Sequence, residues 1–331
     1  MKNLLAIFGR SVALTVVVGA MAVACGGEDG SWSAKTMNVG ADQNHAEQNH
    51  ARKGNVNTRE VLLMSLGAST SAGYTFDPTL LGIEAPPVYA NNHHIDPLAA
   101  LVAGETGSEV DVYNLAVPGS TTTDVLNEQL PSALEEIGRY RRGAVVTVEG
   151  GGNDLRAFQV AYIEYCLNPD PAAQYVCGTQ LTATLTQVEN NLRTIIAALQ
   201  DAAPDATIIL QTQYNSFYGV LPNGAPCVDP PLLAIADAAL EGNPEDNGAP
   251  FLGLNPRIRT IAAEYGVKVA DISGMLRIMP GEQYKDPSYF SNDCTHLAGT
   301  RGSVAYLGMP ADEVGAGYKL LLDTFAFALA N

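Results

Sequence analysis

Basic residues are scarce in this 331-residue chain: 18 Lys and Arg stand against 35 Asp and Glu, for a formal net charge of −17. A surface of that sign repels phosphate backbones, which excludes nucleic acid as a partner. Long apolar runs are scarce as well. The one candidate is N-terminal, where Arg10 interrupts it and Gly-rich polar sequence follows Cys25. Its uninterrupted part, Val12 to Ala24, is short for a membrane span. A dinucleotide fingerprint is missing too. Gly150-Gly151-Gly152 is a beginning, but Leu155 stands where G-x-G-x-x-G needs its last glycine. His93-His94-x-Asp96 lacks a thiolate or an evident fourth ligand, so it reads as a hydrated loop and not a metal site. No metal and no organic cofactor is implied.

What the N-terminus does have is an export signal. Lys2 opens it, an apolar core follows, and Ala22-Val23-Ala24 ends it. Ala22-Val23-Ala24-Cys25 resembles a bacterial lipobox, with Ala22 where Leu is usual. On that reading residues 1–24 are removed and Cys25 is lipidated. The mature chain is then bacterial and membrane-anchored, at the outer membrane or cell surface. Ordinary signal peptidase also accepts the tripeptide, which makes a secreted form the alternative. Losing Lys2 and Arg10 with a segment that has no acids takes the charge to about −19. Residues 25–57 are polar and aperiodic and include QNHAEQNHA, so they read as a flexible tether with solvated His45 and His50.

Cysteines number only five. An odd count in an exported chain asks for one special cysteine. If Cys25 carries lipid, Cys166, Cys177, Cys227 and Cys294 are left for two disulfides. Of the three possible pairings, Cys166–Cys177 and Cys227–Cys294 are favoured. The first closes a local loop; the second ties a Pro-rich stretch to a polar loop near the C-terminus.

From about residue 58 to 331 the chain suffices for one α/β domain. Strands are expected at 60–66, 110–115, 143–149, 206–212 and 267–271. Helices are expected at 96–103, 122–137, 182–201, 255–265 and 312–329. Within 182–201, Leu185, Val188, Leu192, Ile195, Ile196 and Leu199 share one face. Strands alternating with helices predict a three-layer α/β/α sandwich with a central parallel, flavodoxin-like sheet. Residues 155–180 and 216–254 break the rhythm and read as functional insertions.

Ligands of such sheets sit beyond the carboxyl ends of the strands. Ser69 follows the first strand. Gly119 and Ser120 follow the second, and EGGGNDL, with Asn153 and Asp154, ends the third. SNDCTHLAG near the C-terminus sets Asp293 three residues before His296. A serine needs a base before it attacks, and His296 suits that role. Asp293 reaches the far ring nitrogen and fixes the tautomer. An oxyanion needs preplaced donors, here the N–H groups of Ser69 and Gly119 and the Asn153 amide. Asp154 reads as a support that holds the Asn153 loop.

These four segments resemble the four blocks of the SGNH hydrolases, or GDSL esterases and lipases, in the family's order. The resemblance implies Ser69 as nucleophile, Gly119 and Asn153 as oxyanion donors, and Asp293 and His296 as acid and base. Three departures stand out. Ala68 replaces the aspartate of Gly–Asp–Ser, Leu297 replaces a proline that often follows the histidine, and an insertion precedes PADEVGAGYKLL. An α/β-hydrolase fits less well, because its G-x-S-x-G elbow needs a glycine where Ser71 stands.

The expectation is an exported carboxylic ester hydrolase that works through an acyl-enzyme. Its substrates would be acyl lipids or acylated saccharides, and a monomer is expected. The alternative is a catalytically decayed surface lipoprotein that binds a glycan or a protein partner, with Ala68 as the mark of decay.

Overall fold

The computed structural model describes residues 60–73, 94–140, 143–221, 223–242, 252–278, 285–291, 294–298 and 316–331. The signal segment, Cys25, the tether, His93 and Asp293 lie outside the described residues.

Five strands, β1 (Glu60–Leu66), β2 (Glu109–Asn114), β3 (Ala144–Glu149), β4 (Thr207–Gln211) and β5 (Lys268–Ala270), form one parallel sheet in the order β2-β1-β3-β4-β5. The expected strands match these within two residues at each end. All six residues of β3 are buried, as a sheet covered on both faces requires. Alternation sorts the side chains into two cores. Leu62, Met64, Val146, Val148 and Leu210 face one layer; Val61, Leu63, Val145 and Ile209 face the other.

The first layer holds α2, which runs through Thr122–Asp124, widens to a π-helical stretch at Val125–Gln129 and continues over Leu130–Ile137. It also holds α3 (Gly152–Leu167), α4 (Pro171–Ala202), α5 (Pro230–Glu241) and α6 (Leu254–Tyr265). The second layer holds α1 (Ile95–Thr106), α7 (Ile272–Ile278) and α8 (Ala316–Ala330). His94 is a correction to the sequence reading. It is not on a hydrated loop but buried, stacked on Tyr318 at 5.5 Å and on Phe325 at 5.8 Å between ring centroids.

Residues 155–180 are helical on either side of a short break at 168–170. They complete α3 and begin α4, whose start is set by Asp170 capping the Ala172 N–H ahead of Pro171. Residues 216–254 include α5, which opens on Pro230-Pro231. Disulfides join Cys166 to Cys177 and Cys227 to Cys294, the favoured pairing.

The sheet order fixes where a site can form. The chain leaves β1 toward β2 on one side, and β3 lies on the other. The carboxyl ends of β1 and β3 therefore flank the switch point where crevices open.

Candidate active site

Ser69 sits just past β1, on a single helical turn closed by the Ala72 N–H donating to the Ala68 carbonyl at 2.9 Å. The turn begins at Gly67, whose φ of +143° suits glycine alone. Gln129, from the π-helical stretch of α2, clamps that glycine. Its Oε1 accepts the Gly67 N–H and its Nε2 donates to the Gly67 carbonyl, both at 2.8 Å. The same Nε2 donates to Ser120 Oγ at 3.1 Å, which links the Ser69 turn to the Gly119-Ser120 turn. π-Helical bulges recur at functional sites, and here the bulge carries the clamping side chain. Glu149, the last residue of β3, accepts the Ala68 and Ser71 N–H groups at 3.2 and 2.8 Å.

Gly119 has φ +87°, again a conformation for glycine, and a Cβ there would meet nothing within 4 Å. Asn153 is in the first turn of α3 and donates from Nδ2 to the Ser120 carbonyl at 2.9 Å, which orients its amide. Asp154, next to Asn153 in that turn, is buried. It reaches across to α2, where Thr122 donates to it from N at 2.9 Å and from Oγ1 at 2.8 Å. Burial pushes the Asp154 carboxyl above its ordinary range, against the pull of those bonds to Thr122.

The fourth segment arrives as a hairpin. The Ser291 N–H donates to the His296 carbonyl at 2.9 Å, and Phe290 bridges to Leu297. His296, opposite Ser291 in that pairing, is buried. Cys294 has φ +57°, a left-handed conformation uncommon for a residue with a side chain. Arg156 of α3 donates to Thr295 Oγ1 at 3.0 Å, and Ser216 Oγ donates to the Cys294 carbonyl at 2.8 Å. The Tyr214 hydroxyl bridges both halves, at 3.0 Å from Thr70 Oγ1 and donating to the Thr295 carbonyl at 3.3 Å.

The Ser69 turn, the start of α3 and the residues before His296 border one cavity of about 140 Å³, whose lining includes neither Gly119 nor His296. Ser69, Asn153, Arg156, Gln213, Cys294 and Thr295 contribute its polar wall. Leu155, Phe158 and Ile163 of α3 and Leu232, Ile235 and Leu240 of α5 contribute an apolar one. Among the described residues no group of three or more His, Cys, Asp and Glu side chains is placed to hold a metal ion. No described helix is long and apolar enough to cross a membrane.

Sequence reasoning missed Gln129, Glu149, Arg156 and Tyr214. The only signal for Glu149 was an acid ending an otherwise apolar strand.

The model of the GDSL-like lipase/acylhydrolase family matches residues 65–299. No match was found among curated protein sequences. Among solved structures, the lipase Lip_vut3 from a goat rumen metagenome is similar at 17% identity and TM-score 0.51, covering 81% of this chain and 97% of its own. Phospholipase A1 from Streptomyces albidoflavus NA297 aligns at 18% identity and TM-score 0.45, over 82% of this chain and 100% of its own. The acetylxylan esterase Axe2 from Geobacillus stearothermophilus aligns at 14% identity and TM-score 0.45, over 84% and 97%.

Proposed function

Since the chain belongs to the GDSL-like lipase/acylhydrolase family, whose chemistry is ester hydrolysis, we propose that it is a serine ester hydrolase with Ser69 as its nucleophile. His296 takes the Ser69 proton as Oγ attacks the ester carbonyl. The alcohol leaves with that proton, and water activated by His296 then releases the acid from the acyl-enzyme. Asp293 orients His296. The N–H groups of Ser69 and Gly119 and the Asn153 amide take the negative charge that develops on the carbonyl oxygen. One observation carries this reading. Ser69, Asn153 and the two residues next before His296, from three distant stretches of chain, line a single cavity.

The apolar wall supports a substrate with a hydrocarbon acyl chain. Within a p-nitrophenyl ester series, butyrate and hexanoate should therefore turn over faster than acetate. An acetate optimum would instead favour acetylated saccharides. The N-terminal sequence supports export, with lipid at Cys25 and residues 25–57 as a tether to the membrane.

The test is hydrolysis of p-nitrophenyl butyrate together with labelling by a fluorophosphonate probe. The wild-type protein should hydrolyse the ester and be labelled on Ser69. Ser69→Ala should stay folded and lose on the order of 10⁴-fold or more in kcat. Labelling of another serine, with Ser69→Ala still active, would overturn the assignment. Ala68 favours a second reading, a decayed member that binds a glycan or protein partner; a folded wild-type protein without turnover or labelling would support it.

A further inference from the structure

The Ser69 turn starts without the side chain its geometry calls for. Ala72 N–H donates to the Ala68 carbonyl and Gly73 N–H to the Thr70 carbonyl, so Ala68 occupies the position that caps this one-turn helix. Cap residues are normally Ser, Thr, Asp or Asn, whose side-chain oxygen accepts an N–H two or three residues on. Alanine offers no such oxygen. The N–H three residues on belongs to Ser71, which is 1% exposed and so shielded from water as an alternative partner.

A carboxylate from another strand fills the gap. Glu149, 5% exposed, brings Oε2 to the Ser71 N–H at 2.8 Å and to the Ala68 N–H at 3.2 Å. One oxygen thereby grips the residue before Ser69 and the residue two after it. The approach is close enough that a Cβ on Gly67 would stand 2.6 Å from the Glu149 Cβ. Glu149 also borders the cavity that Ser69 borders.

We propose that Glu149 is the positioning residue of the nucleophile. It is a carboxylate lent by the sheet that caps the Ser69 turn, in place of the acid a Gly–Asp–Ser turn carries within itself. This rests on the reading of Ser69 as nucleophile. Glu149 acts through the turn, by holding the direction of the Ser69 N–H and Oγ, and has no part in the proton transfers. Ala68 is then not a sign of decay, because the missing acid has been relocated by 81 residues along the chain.

Relocation predicts rescue, which a general loss of packing does not. In Glu149→Ala, kcat for p-nitrophenyl butyrate should fall about 10²-fold, since small misplacements of reacting groups carry such penalties. KM should change less than about three-fold, because the apolar wall is intact. Fluorophosphonate labelling of Ser69 should slow in parallel. Adding Ala68→Asp to that variant restores a local cap and should recover kcat by at least about ten-fold. Alone, Ala68→Asp should lower kcat by crowding two carboxylates. Glu149→Gln keeps an acceptor oxygen and should stay within about five-fold of wild type.

Full kcat in Glu149→Ala overturns the proposal, as does a rise in KM with kcat unchanged. If Glu149→Ala does not fold, the double variant decides alone. Folded and active within about ten-fold of wild type supports the proposal, while inactive or unfolded overturns it. A wild-type protein that neither hydrolyses esters nor labels on Ser69 overturns the nucleophile reading, and this proposal falls with it. A wild-type protein that does both, beside a fully active Glu149→Ala, overturns this proposal only.

Discussion

The turn carrying Ser69 is fixed by Glu149 and Gln129, which reach it from β3 and α2, and Asn114 of β2 adds a bond to the Ser71 carbonyl at 3.3 Å. The hairpin carrying His296 is fixed by Arg156, Tyr214 and Ser216, and by a disulfide to Cys227. Glu149 and Gln129 are buried, on the interior strand β3 and on α2 packed over the sheet, so the Ser69 turn loosens only if that core does. The residues holding the hairpin lie in α3 and in the stretch that follows β4, outside the sheet. Two halves of one site are thus anchored at different depths. Activity and global stability should separate on one side and move together on the other.

Removing Cys227–Cys294 tests the separation with the largest expected effect. The bond spans 67 residues, and closing a loop of that size is worth about 4 kcal/mol in the chain-entropy account. In Cys227→Ala/Cys294→Ala, or on reduction, esterase activity should be lost at temperatures where far-UV circular dichroism is still native. Coincident loss of both signals would mean that the hairpin is no looser than the sheet. The Cys166–Cys177 pair, 11 residues apart, ties α3 to α4 and closes a smaller loop. Its removal should cost less, about 3 kcal/mol.

Gln129→Ala probes the other half. It removes both bonds to Gly67 and leaves that buried N–H without its acceptor, at about 2–4 kcal/mol for the set. Here thermal inactivation and thermal unfolding should shift together by several degrees. A variant that loses activity while its melting curve stays put would place the Ser69 turn on the same loose footing as the hairpin.

Tyr214→Phe should do less. It takes away the hydroxyl that joins Thr70 to the Thr295 carbonyl, at about 1 kcal/mol. Lower kcat with little change in melting temperature is the expected signature. Loss of stability alone would show that the bridge serves the fold and not the alignment of the halves.

The smallest effect concerns acid, and the network behind α5. Burial raises the Asp271 carboxyl pKa, but the bonds from Arg259, Gly274 and Thr212 outweigh it and hold it below its ordinary value. Arg259 also reaches Glu241 at the end of α5, the helix that walls the cavity. A carboxyl lowered in the folded state adds stability above its unfolded pKa of about 3.9, and that stability is lost as pH falls through the folded value. Asp271→Asn should therefore flatten the fall in melting temperature below about pH 4. An unchanged acid limb would show that other carboxyls govern it.

Much of this was legible in the chain. β1, β3 and β4 announced themselves because strands buried on both faces need near-continuous apolar residues, and the edge strand β2 by the alternation of EVDVYN. The stripe from Leu185 to Leu199 marked α4 because a helix buries one face at helical spacing, and all six of its predicted residues are buried. α3 was not legible. Only Asp154, Phe158 and Cys166 are buried along it, because one face borders the cavity and so carries no clean apolar stripe. α5 hid behind its prolines, although Pro230 after Asp229 is a fair helix start. Ser69 and Asn153 could be found because their motifs are local. Glu149 and Gln129 could not, since they act on residues 62 to 81 positions away: strand pairing brings Glu149 there, and the packing of α2 on the sheet brings Gln129.

The strand order has a consequence in time. A nascent chain that has passed Leu155 already contains β1, β2 and β3, and with them Ser69, Gly119 and Asn153. The hairpin that brings His296 is made more than a hundred residues later, and it packs where Tyr318 of α8 donates its N–H to the Ala298 carbonyl at 3.3 Å. Synthesis thus delivers the segments of Ser69, Gly119 and Asn153 first, and the His296 hairpin gains its seat only once the last helix exists.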